Sequence, residues 1–193
     1  MPCSRCQKQA IDAPSIDDWG PTLWAILHGF AEQSGRNEDE RQHWISIIEG
    51  LQKIVPCPEC AKHITEWLRW HPVGVLRKIP IATLHDWVVG YLYDLHEDVN
   101  KRLGKPSFPK NMLTETYGSF NLPVKMESLK RYLEKLIGIS GTGMLSWKKW
   151  EGTILRLLTL YSLVGHCPTC KWSAGFTGFT LLGGHYRLFT GIL

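Results

Sequence analysis

Six cysteines fall into three pairs of one form: Cys3-Ser-Arg-Cys6, Cys57-Pro-Glu-Cys60 and Cys167-Pro-Thr-Cys170. Thiols two residues apart coordinate zinc, exchange electrons as a redox couple, or staple a loop. The staple is the weakest reading, because a cross-link stabilises less the shorter the loop it closes. Zinc needs four ligands, so Cys57 and Cys60 would have to recruit another pair or a histidine such as His63. Spacing alone leaves zinc and redox level. The central pair carries one more signal, since Pro58 suits the first position of a helix with Cys57 as its cap. Cys57 then sits at the positive end of the helix dipole, where a thiolate is stabilised. Cys60 lies one turn in, within disulfide reach, on a face that Ile64 and Trp67 continue. No βαβ pattern of the thioredoxin kind surrounds the pair.

The elements that must position these cysteines read as helical nearly throughout, with scarce strand-like alternation and Gly/Pro punctuation between periodic segments. The first helix is expected from about Trp19 to Ser34, capped by Asp18 with Pro21 in its first turn. A second spans about Glu38 to Ile54, with Trp44, Ile47, Ile48 and Leu51 at helical spacing and Pro56 ending it. The third runs from the cysteine pair to about Trp70. The fourth runs from about Ile81 to Leu103 and is stopped by Gly104. Its period-3.6 stripe is read as Leu84, Trp87, Tyr91, Leu95, His96, Val99 and Leu103. A short helix is expected near Met112–Tyr117, then two more near Val124–Ile137 and Leu145–Val164. The Gly- and Thr-rich end, SAGFTGFTLLGGHYRLFTGIL, gives no clear element. The expectation is an all-α fold: a four-helix bundle with a short fifth helix, plus a mainly helical C-terminal extension.

Composition narrows the function. The 193 residues are 44% hydrophobic, enough for a packed core. No apolar run approaches the ~18 residues of a membrane span. The opening MPCSRCQKQAIDAPS has no apolar h-region, so no signal peptide and no membrane association are expected. The net charge of +4 is uneven: residues 1–122 balance at −2 and residues 123–193 at +6. The basic end lacks dense Lys/Arg runs, so nucleic acid is not the expected partner.

Three stretches, WGPTLWAILH, VPCPEC and LHEDVNKRLGKPSF, occur in an order and at distances that resemble the Erv/ALR family of FAD-linked sulfhydryl oxidases. Trp24 and His28 match the family's Trp with a His four positions on. His96, Val99, Asn100, Leu103, Gly104 and Lys105 match its His-Asn-x-Val-Asn…Leu-Gly-Lys stretch. The resemblance covers about residues 18–118. Three positions depart from it: Glu97 replaces the usual Asn, Val55 stands where an aromatic often precedes Pro-Cys, and Pro109 lies where many members place a structural cysteine.

The resemblance implies a thiol oxidase that forms disulfides in a dithiol protein substrate and reduces molecular oxygen to hydrogen peroxide. It implies FAD held in a helical bundle without a Gly-rich phosphate loop. It makes Cys57 and Cys60 catalytic, with Cys60 facing the flavin and Cys57 facing incoming thiols. Cofactor contacts are expected from Gly20, Trp24, His28, His96, Val99, Asn100, Leu103, Lys105, Phe108 and Tyr117. Buried His96 and Asn100 need partners, which ordinary helix core would not supply. A homodimer packed through the first two helices is also implied.

The outer pairs, Cys3–Cys6 and Cys167–Cys170, read either as shuttles handing electrons to the central pair or as a joint four-cysteine zinc site. The organisation is thus an N-terminal arm (1–17), an oxidase-like domain (18–118) and a basic extension (119–193). The reading from another class is a zinc-stabilised interaction module that contacts a partner or nucleic acid through that extension. The compartment is left open, a viral protein acting in host cytoplasm or virion being one reading.

Overall fold

The computed structural model describes residues 15–118, 122–140 and 143–163. The pairs Cys3–Cys6 and Cys167–Cys170, and the Gly-rich end, lie outside the described residues. Helix α1 (Ile16–Ala31) begins one turn earlier than expected, because Asp18 is not its cap. Asp18 sits at the third helical position and reaches back, accepting hydrogen bonds from the Ser15 backbone N–H at 2.7 Å and hydroxyl at 2.9 Å. That capping box makes Ser15 the cap. These bonds hold the Asp18 carboxyl below its usual pKa.

The helix also stops earlier, at Ala31, where the Ser34 hydroxyl bonds the Ala31 carbonyl at 2.7 Å. Gly35 follows at φ +88°, a left-handed turn that a side chain would strain. The fully buried Glu40 carboxylate collects the turn's Gly35, Arg36 and Asn37 N–H groups at 2.8–2.9 Å. It opens α2 (Glu40–Ile54), whose Trp44, Ile47, Ile48 and Leu51 are buried at the expected spacing.

Helix α3 (Pro58–Trp70) starts on Cys57 as N-cap, with the Cys60 N–H donating to Cys57 Sγ at 3.2 Å. A 3₁₀ turn (Val73–Arg77) leads to α4 (Ile81–Arg102), the longest helix of the bundle. Its buried stripe is Leu84, Val88, Leu92 and Leu95. Trp87 and Tyr91, expected in that stripe, stack beside it at 4.8 Å and are half-buried, and Leu103 is exposed. The helix terminates as a C-cap motif: Gly104 has φ +65°, and the Lys105 N–H bonds the Asn100 carbonyl at 2.9 Å. Helix α5 (Leu113–Tyr117) follows a second short 3₁₀ turn.

Helices α6 (Leu122–Ser140) and α7 (Met144–Leu163) pack along α1 and α2 respectively. Met126, Leu129 and Leu133 of α6 and Trp147, Trp150, Ile154, Leu157, Leu158 and Tyr161 of α7 are buried. The Trp150 indole lies over Gly50, where an added Cβ would sit 2.7 Å from its Cδ1, and its N–H donates to the Ile47 carbonyl at 3.1 Å. The Tyr161 hydroxyl reaches Glu40 at 3.2 Å. The extension therefore covers the α1–α2 face through which the family resemblance implies a homodimer. Among the described residues there is no strand, and no helix is long and apolar enough to cross a membrane.

Candidate functional site

Cys57 and Cys60 form a disulfide, with Cα atoms 5.2 Å apart. Its half-buried sulfurs stand in the wall of a cavity of about 430 Å³ between the first turns of α1 and α3 and the last turns of α4. That size lies within the range of small-molecule and cofactor pockets. Gly20, Trp24, His96, Val99, Asn100, Leu103, Lys105 and Tyr117 line it, so most of the expected cofactor contacts converge.

Two do not line it. His28 stands behind the wall: its Nε2 shares a hydrogen bond with His96 Nδ1 at 3.0 Å, and its ring stacks on Tyr117 at 4.8 Å. Phe108 lies beyond Tyr117, ring centres 6.0 Å apart, and its carbonyl accepts from the Tyr93 hydroxyl at 2.9 Å.

The wall is aromatic at one side, where the Trp24 indole lies flat on His96 at 4.0 Å and 8°. Burial pushes His28 down to about 3, helped by the neighbouring His96. Burial likewise pushes His96 down to about 4, with Lys105 adding to the fall against the pull of Glu97. Both rings are thus neutral at physiological pH. His28 Nδ1 is buried with no hydrogen-bond partner among the described residues. A Cβ on Gly20 would make only ordinary contact with Ile16, at 3.7 Å, so the chain's own packing does not demand glycine there. What glycine leaves open is the cavity.

Glu97 has a local task. It accepts from the Ser107 hydroxyl, from the Phe108 N–H at 2.9 Å and from the Asn100 amide at 3.1 Å. Burial raises its carboxyl, but these bonds outweigh it and leave the pKa below the usual range. The carboxylate thereby pins the segment after α4 and aims Asn100. Lys105, at the cavity rim with Arg102, pairs with Asp17 at 2.9 Å.

Sequence reasoning missed the apolar wall made by Ile16, Trp19, Leu23, Leu27, Leu51 and Ile64, which reads simply as core. It also missed His63, named only as a zinc ligand. His63 hydrogen-bonds Asp98 instead, and no cluster of metal-ligating groups occurs among the described residues.

A helix-capping disulfide set in the wall of an aromatic-sided cavity, at one end of a short helical bundle, defines the class: a helical protein with a cysteine pair exposed to a cofactor-sized chamber. The chain belongs to the Erv1/Alr family, whose pattern matches residues 21–118. It is 28% identical over 109 residues to the FAD-linked sulfhydryl oxidase ERV1 of Oryza sativa subsp. japonica, covering 55% of this chain and 53% of that protein. It is 27% identical over 97 residues to the mitochondrial FAD-linked sulfhydryl oxidase erv1 of Schizosaccharomyces pombe, covering 49% and 50%. The mitochondrial FAD-linked sulfhydryl oxidase ERV1 of Saccharomyces cerevisiae is 26% identical over 116 residues, covering 58% and 56%. The chain thus spans about half the length of the curated relatives it matches. No solved structure matches it.

Proposed function

We propose that the protein is an FAD-dependent thiol oxidase that forms disulfides in dithiol proteins. The observation that carries this is the Cys57–Cys60 disulfide in the wall of the aromatic-sided cavity. The residues fit a flavin: a largely apolar cavity beside the stacked Trp24 and His96, an opening left by Gly20, an unpartnered His28 nitrogen behind it, and Lys105 and Arg102 in its lining for phosphates. Bound there, FAD would accept two electrons from the reduced cysteine pair and pass them to molecular oxygen, which leaves as hydrogen peroxide.

The chain's own part is thiol exchange. A substrate thiolate attacks Cys57 Sγ, the Cys57–Cys60 bond breaks, and Cys60 leaves with the electron pair and takes up a proton. The second substrate thiolate attacks its own mixed disulfide and expels Cys57 as thiolate. That leaving group sits at a helix N-terminus and accepts the Cys60 N–H, which favours its departure. Cys60 would then face a cofactor bound in the cavity, and neutral His28 and His96 keep an uncharged aromatic wall there.

Of the outer pairs, Cys3–Cys6 is the better shuttle. Ile16, ten positions after Cys6, lies in the cavity wall, and ten residues reach at most about 35 Å. The chain leaves α7 beside Tyr161, which contacts Glu40 at the opposite end of α2 from the cysteines, about 22 Å of helix away. With α6 and α7 on the α1–α2 face, the working unit is a monomer whose extension stands where a second copy would pack.

The test is direct. The purified 193-residue chain titrated with FAD should bind about one per chain and consume oxygen with dithiothreitol. A protein that retains no flavin under excess FAD sinks the reading.

A further inference from the structure

Cys60 and His63 are three residues apart on α3 and line the same cavity. Residues at that spacing are neighbours on one helix face. His63 is buried, and its Nε2 meets Oδ2 of Asp98, which projects from α4. Asp98 is 38% exposed at its side chain and lines a separate shallow groove with Trp67, Asp94 and Lys101. One residue pair thus joins the chamber of the disulfide to the outside of the molecule. A carboxylate only accepts, so Nε2 carries the proton and Nδ1 is left as the basic nitrogen.

The other titratable groups around the chamber are poor candidates for proton work. On α4, burial keeps His96 neutral and its Nδ1 is engaged by His28 of α1. Arg102 and Lys105 are cationic, and Lys105 is paired with Asp17 of α1. Tyr117 of α5 is pushed up by burial, and Glu59 of α3 is exposed. The lining residue of α2, Leu51, does not titrate.

We propose that His63, held in place by Asp98, is the base that takes the Cys60 proton. The inference rests on the oxidase reading for its electron acceptor but not for its chemistry. When the reduced pair is reoxidised, the Cys60 S–H bond breaks, the proton moves to His63 Nδ1, and the sulfur keeps the electron pair. The Cys57–Cys60 bond then reforms between this thiolate and the thiolate that Cys57 became when it was expelled, and the two electrons released would be taken up by a bound flavin. The imidazolium left on His63 is stabilised by Asp98 and returns its proton to solvent on the groove side. Asp98 is the positioning residue, and its effect is exerted through the ring.

The test follows alkylation of the reduced 193-residue chain by iodoacetamide from about pH 5 to 9, read at the Cys57–Cys60 peptide by mass spectrometry, so that neither flavin nor oxygen is needed. Native Cys60 should titrate below the ordinary thiol value of about 8.5. His63→Gln should raise that midpoint by about one pH unit, slowing alkylation at pH 7 about tenfold, with a folded helical spectrum. Asp98→Asn should move it the same way by less. It decides alone if His63→Gln does not fold. An unchanged Cys60 midpoint in a folded variant of either residue overturns the proposal. A shifted midpoint in a protein that never binds FAD would uphold the proton role while removing the oxidase reading.

Discussion

The two sides of the α1–α2 layer solve opposite problems with similar residues. Toward α6 and α7 the layer is closely packed: the Trp150 N–H donates to the Ile47 carbonyl and the Tyr161 hydroxyl to Glu40. Leu129, Trp147, Ile154 and Leu157 are almost fully buried there. Toward α3 and α4 the layer stays open, with a cavity, a half-buried disulfide and an unpartnered His28 nitrogen. A polar atom left over beside an open cavity is what a ligand can use, and the two hydrogen bonds made on the other side help fix the extension. One layer therefore carries an aromatic wall for chemistry and an aromatic wall for stability.

The comparison breaks most visibly if the cysteines are changed. Cys60→Ser should cut dithiothreitol-driven oxygen uptake by more than about a hundredfold, since no thiol couple remains, while the melting temperature moves little because the loop is short. Loss of stability equal to loss of activity would mean the disulfide holds the bundle together.

The opposite side should respond the opposite way. Trp150→Ala should cost about 3–5 kcal/mol in urea unfolding, the usual range for a buried tryptophan, without abolishing thiol exchange at low temperature. Sedimentation should find the native protein monomeric, and a stable dimer would show that the extension does not replace a second copy.

Acid should sharpen the contrast by reaching the histidine wall first. Unfolded His28 binds a proton near pH 6.5, whereas the folded ring resists to about 3. Between these values the unfolded state holds more protons, so stability is complete above pH 6.5 and falls as pH drops. The His28 share of that loss from pH 7 to pH 5 should be about 2 kcal/mol, and His28→Phe should lower the slope by about one proton. An identical slope in the variant would place the acid sensitivity elsewhere.

The smallest effect is expected at Glu97. Glu97→Gln weakens the bonds to Ser107 and Phe108, so amide exchange at Phe108 should quicken and FAD binding should fall a few-fold, with an unfolding free-energy change near 1 kcal/mol. Unaltered exchange at Phe108 would deny Glu97 its pinning role.

Much of this was legible in the sequence, for identifiable reasons. The α2 stripe and the Pro58 helix start are local patterns, and local patterns survive folding. The α1 cap was misread because Ser15 and Asp18 both suit a cap, and only the reciprocal bond decides between them. The α4 stripe was misassigned because apolar residues flank it on two sides: Val88 and Leu92 take the core, and Trp87 and Tyr91 stack beside it. The His63–Asp98 pair was out of reach, since its members are 35 residues apart on different helices and neither carries a local signature. The extension read as helical, but an amphipathic stripe does not say which surface it will cover.

Gly50 is the single glycine of α2, and the Trp150 indole occupies the space its missing side chain leaves. That notch gives α7 one address along the helix. Sliding α7 by a turn, about 5.4 Å, would drive the indole into a side chain. Positions 50 and 150 should therefore drift together in descendants of this sequence. A larger residue at 50 should arise only beside a smaller one at 150.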